Sequence, residues 1–512
     1  MIKRLVLGLC AFSVLGLSPY IEASRLDVFD EPFDDPFSGT ESRRREKLIP
    51  TVPYSYQPTN PEFWTRFQTM LGDEKTKDQL IFNHVSRNFA QTDEGSPAQL
   101  ETLIALGQFF ERQSLHYGAY LIYAQAAESL IGSSVSELAL YRMSRLLSRH
   151  PMDDLEVERF VNRREYVSLH PQVQSFVSYY TYRHNKRRGL TEWAQDQRKL
   201  IAQDTHWGQL ITYWDALALI QEDQPAKARS LLTELNEEEG LELWLRNSTR
   251  LQLARLHFEE GKWKEANSLY YALDHLPLRE QGRVLLERAW SLYYQKDYAS
   301  SLGALKALEN PYFEPSVHFE KYILEMIIYR ELCHYESVQQ TATLFSFRFG
   351  NSLEQIRRRR PLRLDRTLFN MATMSQDLQP RANLIHQIRQ EEGSLRESPW
   401  ASHLASQMVL STYHQRDQFL QESLSEEVES RARQVALQLL DANEQILFIE
   451  YISSIESFRA NQRQPASRAY SLQAIPRTRF ESIFWPVHNE FWWDELSDYT
   501  ALISNRCEEL SP

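Results

Sequence analysis

The sequence predicts an all-α protein: a stack of helical hairpins, then one long helix and an aromatic tail. Three observations carry this. One spacing recurs five times, with a small residue, a bulky one at plus three, a turn residue or aromatic at plus nine, an alanine-like residue at plus twelve, a bulky one at plus sixteen and an apolar one at plus nineteen. Glycine is scarce, at 16 of 512 residues, while aromatics make up 12%, a composition suited to helices packed through rings. Pro151, Pro171, Pro225, Pro277, Pro311 and Pro315 fall between helical patterns, where a missing N–H costs least.

Residues 1–23 read as a secretory leader. Lys3 and Arg4 form the charged start, Leu5 to Leu17 the apolar stretch, and Ile21-x-Ala23 a cleavage site. That stretch is short for a membrane span, and no later segment is long and apolar enough to cross a bilayer. The mature chain is therefore expected outside the cytoplasm with no transmembrane span, peripheral membrane association remaining open. Residues 24–60 form a linker rich in Pro and acids, spaced around Phe29, Phe33 and Phe37. Its prolines and charges oppose a packed helix. It reads as a plain tether or as a short motif for an apolar groove.

Residues 61–349 hold the hairpins. Pro61-Glu62 suits a first helical turn, with Phe63, Trp64 and Phe67 on one face. The clearest repeat is Gly107, Phe110, His116, Ala119, Tyr123, Ala126. Two more read Ala254, His257, Trp263, Ala266, Tyr270, Leu273 and Ala289, Leu292, Tyr298, Ser301, Leu305, Leu308. Weaker copies start at Ala216 and Met326, and the stretch between Gly107 and Ala216 has room for two degenerate units. Small residues at the first and fourth marks let two helices approach closely. The bulky marks fill the space beside them, and the plus-nine residue sits where the chain turns. One such hairpin cannot bury its apolar face alone, so neighbours must stack.

Residues 350–461 form a C-terminal helical region, with helices expected around 400–421 and 425–461. The second lacks Pro and Gly from Glu426 to Asn461 and carries Val435, Leu439, Ala442, Ile446, Ile449 and Ile452 at helical spacing. It either packs back on the stack or offers a seam to a partner helix. The basic run Arg357 to Arg360, with Arg363, reads as a solvated face or as a docking patch for an acidic partner.

Residues 462–512 are the aromatic tail, with Phe484, Trp485, Phe491, Trp492 and Trp493. His488, Glu490, Asp494 and Glu495 form the one dense cluster of proton-transferring groups, and paired carboxylates beside Trp would suit glycoside chemistry. Fifty residues of tail do not make a catalytic domain, and no enzyme is expected. No phosphate loop, cofactor fingerprint, HExxH or paired CxxC stands in the sequence, so neither cofactor nor metal is expected. A net charge of −12 gives no sign of a nucleic-acid groove. Beyond the leader two cysteines remain, Cys333 and Cys507. An oxidising compartment permits a disulfide between them, and a free packed thiol at Cys333 fits equally well.

The repeats resemble the tetratricopeptide repeat (TPR) family, whose unit of about 34 residues has small and aromatic residues at these spacings. The resemblance rests on Ala254-x-x-His257 with Trp263-x-x-Ala266-x-x-x-Tyr270, and on Leu106-Gly107-x-x-Phe110 with Ala119-x-x-x-Tyr123. It implies a solenoid whose concave face, lined by the first helix of each hairpin, binds proteins. Carried over to the better copies, it places Arg255, Phe258, Trp290, Tyr293 and Arg330 on that face, with Leu251, Leu286, Ile323 and Ile327. Aromatics and Arg are the side chains that most often anchor an interface.

The tail, with Trp485-Pro486, Glu490-Phe491-Trp492, Asp494-Glu495-Leu496, Tyr499 and Cys507, resembles exported TPR proteins of gliding and predatory bacteria, including those of the myxobacterial gliding machinery. It departs from that pattern at His488-Asn489. The resemblance implies an envelope scaffold in the periplasm or at the outer-membrane periphery of a Gram-negative bacterium, binding other cell-envelope proteins in a motility or transport assembly. The other readings are a peptidoglycan-associated module and a hydrolase acting through the tail carboxylates.

Overall fold

The computed structural model describes residues 56–463, with short breaks at 167–168, 274–275, 277, 312, 314–317 and 374–377, and then residues 496 and 498–507. The leader, the linker phenylalanines and the tail cluster His488, Glu490, Asp494 and Glu495 lie outside the described residues. Among the described residues there are nineteen α-helices and no strand, the all-α hairpin architecture that the sequence predicts.

Eight successive helix pairs follow, seven of them packed as hairpins, while in the third pair the second helix packs on the next pair instead. They are α1 (Pro61–Gly72) with α2 (Asp78–Gln91), α3 (Pro97–Arg112) with α4 (His116–Ser129), α5 (Ser134–Arg149) with α6 (Asp154–Val161) and α7 (Pro171–Arg187) with α8 (Thr191–Lys199). Next come α9 (His206–Gln221) with α10 (Pro225–Glu237), α11 (Leu243–Glu259) with α12 (Trp263–Tyr271), α13 (Leu278–Tyr294) with α14 (Tyr298–Ala307), and α15 (Glu320–Glu331) with α16 (Tyr335–Arg357). Local chemistry fixes their starts. Asn60 accepts the Phe63 N–H at 3.0 Å and Pro61 opens α1, which buries Phe63, Trp64 and Phe67. Ser96 caps α3 in the same way, and Pro171 and Pro225 are the first residues of α7 and α10.

The repeat marks acquire exact structural meanings. In all five copies the plus-nine residue is the first residue of the second helix: His116, Pro225, Trp263, Tyr298 and Tyr335. The turn itself lies two residues earlier. There the backbone is left-handed in every copy, at Ser114, Asp223, Gly261, Lys296 and Cys333. The N–H that follows each of them donates to the carbonyl five residues back, as in Leu115 to Phe110 at 2.9 Å and His334 to Tyr329 at 2.8 Å. This is the Schellman helix ending. Gly189 closes α7 in the same way, so α7 and α8 supply one of the two units between the first copy and the second. In the place of the other unit stand α5 and α6, which do not pack on each other as a hairpin, since α6 packs on α7. There His150 precedes Pro151, which disfavours a helical backbone, and the turn is extended instead.

The small marks do what the spacing requires. A Cβ on Gly107 would run into the Tyr123 ring, the plus-sixteen residue of the same copy. Ala254 and Ala266 are fully buried, and the Ser301 hydroxyl donates to the Ala289 carbonyl at 2.8 Å across its hairpin. Several successive first helices touch one another, α3 with α5, α5 with α7, α7 with α9 and α13 with α15.

The C-terminal region departs from the expectation in two ways. Helix α16 runs through position 350, so the boundary expected there falls inside a helix. The helices expected at 400–421 and 425–461 are one 60-residue helix, α19 (Leu404–Arg463), preceded by α17 (Arg366–Thr373) and α18 (Gln379–Glu397). Neither Pro nor Gly interrupts positions 404 to 463, so nothing ends the helix between the two expected segments. The basic run finishes α16, where Arg358 bonds Glu354 at 2.8 Å and positive side chains suit the helix C-terminus.

Helix α19 packs along α15 to α18 and also reaches α4. In the turn just before it, Trp400 sets its ring against Phe82 and Phe109, at centroid distances of 5.5 and 5.1 Å. Arg416 pairs with Glu156 of α6. Near its far end, Glu456 takes both nitrogens of a bidentate contact from Arg330 of α15, at 3.0 and 2.7 Å. At 1.5 Å per residue, about 60 Å of helix separates Arg416 from Glu456. The helix thus ties the early hairpins to the last one.

Candidate binding surface

The five residues expected on the inner face are all half-buried, and they divide into two groups. Four stand together on α11 and α13. Arg255 makes a bidentate contact with Glu287 at 2.9 and 2.7 Å. Burial works against the charge on Glu287, but the Arg255 guanidinium outweighs it and holds the carboxyl below its ordinary range. Phe258 meets Tyr294 edge-on at 5.5 Å, and Trp290 meets Tyr293 edge-on at 5.7 Å. The Tyr293 hydroxyl donates to Glu331 at 2.7 Å. Leu286 and Ile323 are buried in the core, so they support this face and do not present it.

Arg330 is different. Its guanidinium is committed to Glu456, so it belongs to the contact that docks α19 and not to an open face. The long helix packs on α15 and α16.

Sequence reasoning missed the rest of that face. Trp214 of α9 is 38% exposed, its indole N–H donates to the Tyr179 hydroxyl at 3.0 Å, and the Arg183 guanidinium lies 4.8 Å from its ring. Arg183 also pairs with Asp154 and lies 3.5 Å from Glu158, which Arg187 holds at 2.6 Å. Arg283 of α13 keeps about half its side chain in solvent while bonding Glu287 at 3.1 Å. From α7 to α13 the face is therefore a row of aromatic rings and arginines set among carboxylates. The signal was available: α7 to α10 carry the same hairpin spacing, but Tyr182 stands where the first mark asks for a small residue.

Two further features went unread. The first is the tail segment 498–507, which runs as an extended strap across the later hairpins. Ala501 donates to the Ala299 carbonyl at 3.0 Å, and Arg506 to the Leu332 carbonyl at 3.1 Å. The His334 ring reaches the Ser504 carbonyl at 2.7 Å, and Tyr271 donates to Asp498 at 3.2 Å. Gly303 makes the crossing possible, because a Cβ there would collide with the Tyr499 backbone. Cys507 closes the strap in a disulfide with Cys333, joining residues 174 apart and resolving the alternatives left open by the sequence.

The second is Glu391 of α18. Its carboxylate accepts the Tyr117 and Gly118 N–H groups at 2.9 and 3.1 Å and the Tyr413 hydroxyl at 2.5 Å. It caps the N-terminus of α4 from more than 270 residues away. Gly118 leaves the space, since a Cβ there would stand 2.5 Å from the Tyr413 oxygen. Burial pushes the Glu391 carboxyl above its ordinary value, and the hydrogen bonds to Tyr413 and the α4 amides oppose that rise.

No family model matches the chain, and none of the curated proteins matches it.

Proposed function

We propose that this protein is a non-catalytic adaptor of the cell envelope that holds a protein partner against the inner face of α7 to α13. The observation that carries the reading is the row of Arg183, Trp214, Arg255, Phe258, Arg283, Trp290 and Tyr293 on that face, half-buried or exposed and outside the contacts of α19. Aromatic and arginine side chains in such a row are what interfaces most often use as anchors. The alternating carboxylates would select a partner with matched charges.

Two features support a place outside the cytoplasm. The apolar stretch after Lys3-Arg4 has the form of an export leader, and the Cys333–Cys507 disulfide suits an oxidising compartment. Partners among the proteins of a motility or transport assembly follow from the TPR-like character of the repeats and from the tail.

The test is a photo-reactive residue placed at Trp214 in the full chain, cross-linked in living cells. Discrete protein adducts, lost when Arg283 is changed to Glu, are expected. Adducts with peptidoglycan alone would overturn the reading in favour of a cell-wall-binding module.

A further inference from the structure

The distal half of α19 has two apolar faces. Val435, Leu439, Ala442 and Ile446 are buried, and this is the face that packs against the body of the protein. A second stripe faces solvent. Leu437, Leu447, Phe448, Tyr451 and Phe458 are 68, 55, 62, 65 and 63% exposed. With the half-buried Leu440 and Ile455, Leu437, Leu447, Tyr451 and Phe458 follow steps of three and four along 437, 440, 444, 447, 451, 455 and 458, with the polar Glu444 at one of these positions and Phe448 beside the line. Such steps keep side chains on one side of a helix through three heptads, as a coiled-coil seam does. A helix with a single docking face would carry polar residues here.

We infer that this stripe is a homodimer seam, in which α19 pairs antiparallel with α19 of a second copy of the chain. Size is the first argument. The exposed parts of the five large side chains amount to roughly 600 Å², close to the ~800 Å² that each partner contributes to a standard interface once a polar rim is added. Charge is the second, and it sets the direction. Glu444 lies within the seam, and parallel pairing would bring two Glu444 carboxylates together there. Antiparallel pairing centred near Tyr451 places each Glu444 beside the partner's Arg459, fifteen residues on, or about 22 Å along the helix. Both residues are exposed in the single chain. The surroundings also fit a helix better than a lipid surface. Gln438, Asp441 and Gln445 flank the stripe with Arg459 as the one cation between 437 and 459, where an anionic membrane would call for several Lys and Arg.

The experiment is sedimentation equilibrium of the full oxidised chain, with its variants checked by circular dichroism and melting. The wild type is expected to show a concentration-dependent dimer. Leu447→Glu with Tyr451→Glu should raise the dimer Kd at least ~100-fold, with melting unchanged at concentrations where the wild type is monomeric, since both side chains are exposed in the single chain. Glu444→Arg and Arg459→Glu should each weaken the dimer about tenfold, and the two together should restore it. A wild type that stays monomeric, or a dimer indifferent to the Leu447 and Tyr451 changes, would overturn the inference. So would a photo-reactive residue at Phe448 that couples only within its own chain, because the stripe would then be covered by the protein's own 464–495 segment.

Discussion

Hairpin α11/α12 and hairpin α3/α4 share one spacing but are held in different ways. The first stands between like neighbours, and its helix α12 begins after Lys262 with no side-chain cap. The second is gripped from the far end of the chain. Glu391 caps α4, Tyr413 completes the cap, and Trp400 fills the space beside Phe82 and Phe109. A repeat can therefore be specified by its own residues and its neighbours, or be held as well by a cover from far along the chain. Here the cover is α18 and α19, which also reach the last hairpin through Arg330 and Glu456. The face between these two anchorages is the one proposed above for a partner.

That contrast is sharpest at Glu391. Glu391→Ala leaves two α4 amides and the Tyr413 hydroxyl without their buried acceptor, and should cost about 3–5 kcal/mol in denaturant unfolding. Glu260→Ala, which removes a partly exposed partner of Arg229 within the repeats, should cost about 1 kcal/mol or less. Equal costs would erase the distinction. Cys507→Ser comes next. The disulfide closes a long loop, and its loss should cost 2–5 kcal/mol and raise proteolysis of the strap at 498–507.

Protonation tests the same end of the stack. His116, the first residue of α4, stacks on His150 with ring centroids 3.6 Å apart. Burial, with His150 adding to it, lowers its pKa from 6.5 to about 3. A folded pKa below the unfolded one means that the stabilising contribution is complete above pH 6.5 and is lost as pH falls toward 3. His116 should thus remove about 1.4 kcal/mol per pH unit in that window, and His116→Gln should flatten the slope. The smallest effect belongs to the repeats themselves. Lys296 is an exposed residue in the left-handed turn of its hairpin, so Lys296→Gly should raise stability by about 1 kcal/mol in thermal unfolding.

What could be read from the sequence follows the same division. The hairpins were legible because each mark has a local cause: Ala254 and Ala266 share one buried cluster, Gly107 admits Tyr123, and the plus-nine residue starts a helix. The α7/α8 unit was missed because Tyr182 replaces the small residue, although Gly189 and Ala194 keep their places. The single span of α19 was readable from its lack of Pro and Gly, yet two helices, at 400–421 and 425–461, were expected. Nothing local could show that Glu391 meets Tyr117, that Trp400 meets Phe82, or that Gly303 makes room for Tyr499. Those contacts join segments roughly 200 to 300 residues apart, where periodicity carries no information. The same limit explains Arg330, which has the right position on a first helix and is nonetheless taken by α19.

Native-state hydrogen exchange at the start of α4 tests the closure of the stack most directly. First-turn amides ordinarily lack partners and exchange quickly. If α18 caps α4 as described, the Tyr117 and Gly118 amides should exchange at least ~100-fold more slowly than those of Lys264 and Glu265 at the uncapped start of α12, and Glu391→Ala should abolish the difference. Exchange of both pairs at similar rates in the wild type would contradict the closure, and with it the division of the inner face into covered and open parts.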